Sequence, residues 1–258
     1  MNQLIGLASI KKEMKKLMKS AQVYQRGGSK VPNYLIALNA GDGRTFVLEY
    51  ITDIFTTNKL RNFGGLDEFL EYKLKGTLSQ VKQVISDIKI NAVYTNDFEG
   101  VIAIDISELA EYINEYQTEY FMESIKEIAE HATIIFYYDR NLGKRGSMLA
   151  DLIATSLDSV VRIDNCHYSS EELAQIVIHN IKSKGIAIKQ EEVLEGTITE
   201  IIKAKNIQNV KVANKLAEQM AFYVNYDEVV PLLDTMVYIN HLRESQNVIK
   251  QGGYSHEK

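Results

Sequence analysis

From Leu4 to Gln22, apolar residues recur at Leu4, Leu7, Ile10, Met14, Leu17, Met18 and Ala21, close to the 3.6-residue helical repeat. Gly27-Gly28-Ser29 ends the run, so an amphipathic opening helix is predicted. The pattern then changes to short unbroken apolar runs at residues 34–38, 100–105, 133–138 and 160–163. Helical spacing returns between them, at about Arg44 to Thr56, Leu78 to Lys89 and Tyr116 to His131. A polar link runs from Asn58 to Gly65. Continuous apolar strands alternating with helices predict an α/β fold, a parallel sheet buried on both faces by flanking helices.

Past Ser169 the period stays helical. Leu173, Ile176, Val177 and Ile181 follow Ser170 at helical spacing, and Gly185 is the expected stop. Further helices are expected at about Glu191 to Ala204, Val210 to Val224 and Asp227 to Ile249, before a frayed tail, QGGYSHEK. The expected organisation is an α/β core over residues 1–166, a small all-helical lid domain over 167–250 and a tail over 251–258. No internal repeat is evident.

The segment with the clearest chemistry is Tyr34 to Glu49, YLIALNAGDGRTFVLE, whose strand, glycine loop and helix follow the order of a phosphate-binding P-loop. Its residues depart from that pattern. Leu38 stands at the first glycine and Arg44 at the lysine, while Gly43 and Thr45 match. In a working loop, backbone N–H groups wrap the phosphates, lysine reaches the outer ones and Thr meets Mg²⁺. Thr45 can take the last role. Arg44 keeps the charge, but a planar guanidinium prefers a fork of acceptors, and weaker or altered phosphate binding is expected. Leu38 lacks the φ freedom of glycine, and Asp42 adds a negative charge that exposure to water would screen. A strand-turn-helix without ligand accounts for the same segment.

With 258 residues, 45% hydrophobic, the chain can bury one substantial core. Its net charge is −5 and its pI about 5.6, so no global positive field attracts nucleic acid, which is not expected as a partner. Lys11, Lys12, Lys15, Lys16 and Lys19 form a local basic stripe, read most simply as a solvated helix face. Cys166 is the sole cysteine, the N-terminus lacks signal-peptide order, and no run approaches the roughly 18 apolar residues of a membrane span. A cytoplasmic protein without membrane association is expected. His131, His167, His179, His241 and His256 lack metal-ligand spacing. Tyr112, Tyr116, Tyr120 and Phe121 make a helical aromatic stripe, read as core packing, with a partner face as the alternative.

The order of these parts resembles an AAA+ ATPase, in the branch of red-type Rubisco activases and the stage V sporulation protein K group. The resemblance spans about residues 4 to 225. It is carried by Leu4-Ile5-Gly6-Leu7 with Ile10-Lys11-Lys12-Glu13, by Asn39 to Thr45, by Gly100 to Asp105, by Thr133 to Asp139 and by His167 to Leu173. It implies ATP or ADP with Mg²⁺ as cofactor. Ile5 and Gly6 would line the adenine pocket, and Gly41, Asp42, Gly43, Arg44 and Thr45 would form the phosphate loop. Thr45 and Asp105 would be the Mg²⁺ ligands, with Asp105 as the Walker B aspartate, and Gln208 would take the sensor-2 position. Sensor 1 falls at Tyr137, Tyr138 or Asp139.

The departures share a direction. The Walker B pattern wants a Glu after its Asp to orient the attacking water, but Asp105 is followed by Ile106, which can neither accept a proton nor orient water. Glu108 could substitute if the strand ended early, and Asp105 could equally be a turn or capping residue. Ser156-Leu157-Asp158 stands where an arginine finger would fall, with Lys144 and Arg145 well upstream, and Gln208 stands where the sensor-2 Arg would, with Lys211 either a substitute or a solvated helix residue. The expected function is a degenerate AAA+ module with weak or absent ATP binding and little or no hydrolysis, serving as a structural or regulatory subunit with protein partners or further copies. The alternatives are an active AAA+ ATPase remodelling a protein substrate, and a clamp-loader-like DNA-processing subunit.

Overall fold

The computed structural model describes residues 4–27, 29–60, 69–75, 77–94, 100–112, 115–164, 166–225 and 232–240. The chain divides into two compact units, Met1–Cys166 and His167–Lys258.

In the first unit, α1 (Ala8–Gln25) buries Ile10, Met14, Leu17 and Ala21 and leaves its lysines on the far side. Strands β1 (Asn33–Ala37), β2 (Leu70–Lys73), β3 (Val101–Asp105), β4 (Thr133–Tyr138) and β5 (Val160–Ile163) form one sheet in the order β2-β3-β4-β1-β5. Every pairing is parallel. All strands therefore end on the same edge, where β1 lies between β4 and β5. That edge, at the point where the strand order reverses, is where open α/β sheets place ligands.

The burial follows from composition. β1 and β4 are buried at every position, as strands covered on both faces must be. Leu35, Ala37, Ile102, Ile104, Ile134 and Phe136 share one core with Val81, Ile85 and Ile88 of α3 (Leu78–Ala92) and Phe121, Ile125 and Ile128 of α5 (Glu115–His131). Leu149, Ala150 and Ile153 of α6 (Gly143–Ser156) complete it. Between β1 and β2 runs α2 (Arg44–Thr57), and α4 (Ser107–Tyr112) follows β3 almost directly. Asn33 is buried, and its side-chain oxygen accepts the Ile134 N–H at 2.8 Å, tying the start of β1 to β4.

Neither β2 nor α6 is predicted by the apolar pattern. β2 reads LEYK, a four-residue edge strand with alternate positions exposed, and α6 contains Gly143 and Gly146. Gly146 has a packing reason: an added Cβ would lie 3.0 Å from the Leu142 Cβ and 3.1 Å from the Tyr138 ring. Of the aromatic stripe, Phe121 is buried and Tyr120 partly so, whereas the side chains of Tyr112 and Tyr116 lie outside the described residues.

The second unit packs α7 (Ser170–Ser183) against α8 (Glu191–Ala204) and α9 (Val210–Met220). Its core joins Leu173, Val177 and Ile181 to Leu194, Ile198, Ala213 and Met220. Ser169 and Glu172 form a capping box at the start of α7. The unit is helical as expected, but it also carries a small sheet of β6 (Ala187–Lys189), β8 (Leu232–Asp234) and β7 (Val224–Asn225). Leu232 and Leu233 therefore belong to a strand rather than to the expected helix over 227–249. Residues 235–240 are helical, and the rest of that expected helix and the tail lie outside the described residues. Two adjacent leucines fit a buried strand and a helix face equally well, which is why periodicity misassigned them.

Two measurements probe this packing. Ser169→Ala, which removes an N-cap acceptor, should cost about 1 kcal/mol in urea denaturation followed by circular dichroism. Cys166 is fully buried, and burial pushes its thiol up to about 11. It should resist thiol reagents at pH 8 until denaturant is added. Because the folded value lies above the unfolded one, its contribution is intact below about pH 9 and is lost as pH rises through 11.

Candidate functional site

Gly41 and Gly43 adopt left-handed backbone conformations (φ 91° and 79°), which glycine takes without a Cβ penalty. They turn the chain from β1 into the first residues of α2. The loop they shape is fastened to the end of β4. The Leu38 N–H donates to the Tyr138 carbonyl at 3.0 Å, extending the β1–β4 ladder by one residue. The Ala40 N–H donates to Asp139 Oδ1 at 3.0 Å, and the Arg140 N–H to Asn39 Oδ1 at 2.9 Å.

Arg44 lies across this edge. Its Nε and Nη2 donate to the Leu38 carbonyl at 2.9 and 2.7 Å, and its Nη1 donates to Asp105 Oδ2 at 2.5 Å. Nη2 also reaches Ser107 Oγ at 3.4 Å and lies 3.6 Å from Asp139 Oδ1. The guanidinium carbon stands 5.7 Å from the centre of the buried Tyr137 ring, within range of a cation–π contact. Arg44 is therefore held by protein acceptors at the ends of β1, β3 and β4.

Asp105 is engaged on both oxygens. Oδ1 accepts the Ser107 N–H at 3.0 Å and the Ser107 hydroxyl at 2.6 Å, while Oδ2 faces Arg44. This is the turn-and-cap geometry of an Asp at a strand end as well as an ion pair. Ser107 in turn accepts the Asp139 N–H at 3.1 Å. Ile106, the next residue along from Asp105, is 0% exposed and belongs to the core. Glu108 lies 2.5 Å from the Lys73 ammonium, which raises the lysine's proton affinity, and Lys73 is paired with Asp105 across β2 and β3.

Asp42 differs from expectation. It is not screened by water but turned inward, 0% exposed, with its Oδ2 taking the Arg140 guanidinium at 3.1 Å. Burial raises its proton affinity, and the Arg140 charge opposes that rise. Among the three sensor-1 candidates, the Tyr138 hydroxyl donates to Asp164 at 2.8 Å and Tyr137 lies beneath Arg44, so Asp139 is the one bonded to the loop.

The predicted residues thus separate. Arg44 and Asp105 come together. Thr45 is exposed on the first turn of α2 beside the exposed Phe46. Ile5 and Gly6 precede α1 on a turn where Gly6 and the buried Leu7 are both left-handed. Gln208 belongs to the second unit, exposed, with its amide donating to Asn206 at 3.0 Å. Lys144 and Arg145 are exposed near the start of α6. The lysine stripe borders a shallow depression of about 500 Å³ lined by Ala8 and the five lysines. Ser107 and Arg140 were not anticipated. The Asp105-x-Ser107 spacing after a strand is a recognisable turn signal, whereas nothing in the local pattern singles out Arg140.

For Mg²⁺, the expected donors are Thr45 and Asp105. The Asp105 oxygens are already matched to N–H and O–H donors, with the Arg44 guanidinium supplying the positive charge beside it. That donor set does not fit a divalent cation, which needs carboxylate oxygens free to coordinate. Among the described residues, no group of three or more His, Cys, Asp or Glu side chains could hold a metal ion, and no helix is long and apolar enough to cross a membrane.

Losing Arg140 should strand a buried carboxylate. Arg140→Leu is expected to cost about 3 kcal/mol or more near neutral pH, as for other broken buried pairs. The cost should shrink in acid: Asp42 already binds its proton more tightly when folded, and protonation removes the uncompensated charge. Denaturation midpoints at pH 5 and 7.5 check the sign.

No family model matches the chain, and no curated protein matches it. Solved structures do. A lysine-to-arginine mutant of RuvB from Thermotoga maritima matches at TM-score 0.58 and 15% identity, over 93% of this chain and 69% of that one. The AAA domain of FIGL-1 matches at TM-score 0.56 and 14% identity, over 93% of this chain and 81% of that one. ORC2 from Aeropyrum pernix in its ADP form gives 0.50 and 10%, over 80% and 62%. At such identities the likeness concerns architecture alone: this chain has an AAA+ fold.

Proposed function

We propose that this chain is a degenerate AAA+ module that binds ATP or ADP weakly or not at all, hydrolyses little or none, and serves as a structural or regulatory subunit of an oligomeric assembly. The observation that carries this reading is Ile106. It follows Asp105 into the core with no exposed surface, in the position where a hydrolytic site needs a carboxylate for the attacking water. Glu108, the nearest substitute in sequence, is paired with Lys73. Gly41, Gly43 and Thr45 keep the backbone turn and hydroxyl of a phosphate loop, which supports residual nucleotide affinity rather than turnover. The units 1–166 and 167–250 would be the core and lid of this module. Partner proteins or further copies of the chain would supply hydrolysis or assembly, within the cytoplasm.

Phosphate release from ATP tests the reading. Turnover should stay below about 10⁻³ s⁻¹, against about 10 s⁻¹ for an ordinary enzyme. Sedimentation should show self-association that rises with protein concentration and does not change with ATP. Mg²⁺-dependent hydrolysis abolished by Asp105→Asn would establish an active ATPase instead.

A further inference from the structure

The two departures in the loop, Leu38 and Arg44, are bonded to each other. Leu38 keeps strand conformation, with its side chain fully buried and its N–H on Tyr138. Its carbonyl accepts two N–H groups of Arg44, at 2.9 and 2.7 Å. A guanidinium can meet that carbonyl with one edge and Asp105 with another, because its donors are fixed in a planar fork. An ammonium has no such geometry. The arrangement belongs to arginine, and it directs the positive charge at Asp105 rather than outward.

Three features reinforce it. Ser107 occupies the second Asp105 oxygen through both its N–H and its hydroxyl. The Tyr137 ring lies under the guanidinium, and Asp139 lies at its Nη2 while also holding the Ala40 N–H. A divalent ion approaching Asp105 would have to displace a bonded cation.

Resting on the reading of this loop as a remnant nucleotide site, we infer that Arg44 is the resident cation of that site. It holds the Asp105 carboxylate that a divalent metal would require, so nucleotide phosphate taken up by the loop is taken up without Mg²⁺. The ligand class is a metal-free nucleoside di- or triphosphate. The groups left to receive it are the turn at Gly41 to Gly43 and the Thr45 hydroxyl.

Two experiments on the full chain test this. In the first, Mn²⁺ is titrated into the unmodified protein with and without ADP and followed by electron paramagnetic resonance. The signal should match that of Mn²⁺ or Mn²⁺–ADP without protein, and a protein-bound Mn²⁺ signal lost in Asp105→Asn would overturn the inference. In the second, ATP affinity is measured by calorimetry in Mg²⁺ and in EDTA. The unmodified protein should show no gain from Mg²⁺, whereas Arg44→Lys, whose ammonium cannot span Leu38 and Asp105 at once, should bind about tenfold tighter with Mg²⁺ than without. An Arg44→Lys protein that stays folded and gains nothing from Mg²⁺ would also overturn it. ATP turnover by the unmodified chain would instead count against the proposed loss of hydrolysis, so the two claims fail separately.

Discussion

A guanidinium carries its donors in one rigid plane, and at Arg44 that plane joins three strand ends: the Leu38 carbonyl beyond β1, Asp105 at the end of β3 and, more loosely, Asp139 beyond β4. The candidate site depends on this junction. It fixes the first residue of the loop, neutralises the acidic strand end and leaves the glycine turn standing beside an ion pair. Charge-assisted bonds of this kind are stronger than neutral ones and restrict geometry, so the loop is organised before any ligand arrives.

The same edge has a second, deeper pair. Asp42, in the middle of the glycine turn, points inward to Arg140 just past β4. Arg140 also donates its backbone N–H to Asn39. Together with the Ala40 bond to Asp139, these contacts attach the loop to the β4 end at residues 39, 40 and 42. The loop is thereby held against the strand beside it.

Much of the fold was legible because its central strands cannot be read otherwise. NYLIA, VIAID and TIIFYY are unbroken apolar runs flanked by helical periods, and each became a central parallel strand. β2 was hidden because an edge strand tolerates Glu71 and Lys73, and α6 because two glycines interrupt its period. The small sheet at β6 to β8 was misread because Leu232 and Leu233 suit a helix face as well as a strand. At the site, the glycine loop and the isoleucine after Asp105 could be read from residue types. Asp42 turning inward could not, since its partner lies 98 residues away and nothing local marks it. Nor could the reach of Arg44 to Leu38 and Asp105 be read, because side-chain direction depends on where β1 and β3 end relative to each other.

A high-resolution crystal structure of the chain grown with Mg²⁺ and a non-hydrolysable ATP analogue shows whether Arg44 or a metal ion sits on Asp105. Arg44 Nη1 should remain within hydrogen-bond distance of Asp105, with no metal on that carboxylate. An octahedral ion at about 2.1 Å from Asp105, with Arg44 swung away from Leu38, would contradict this.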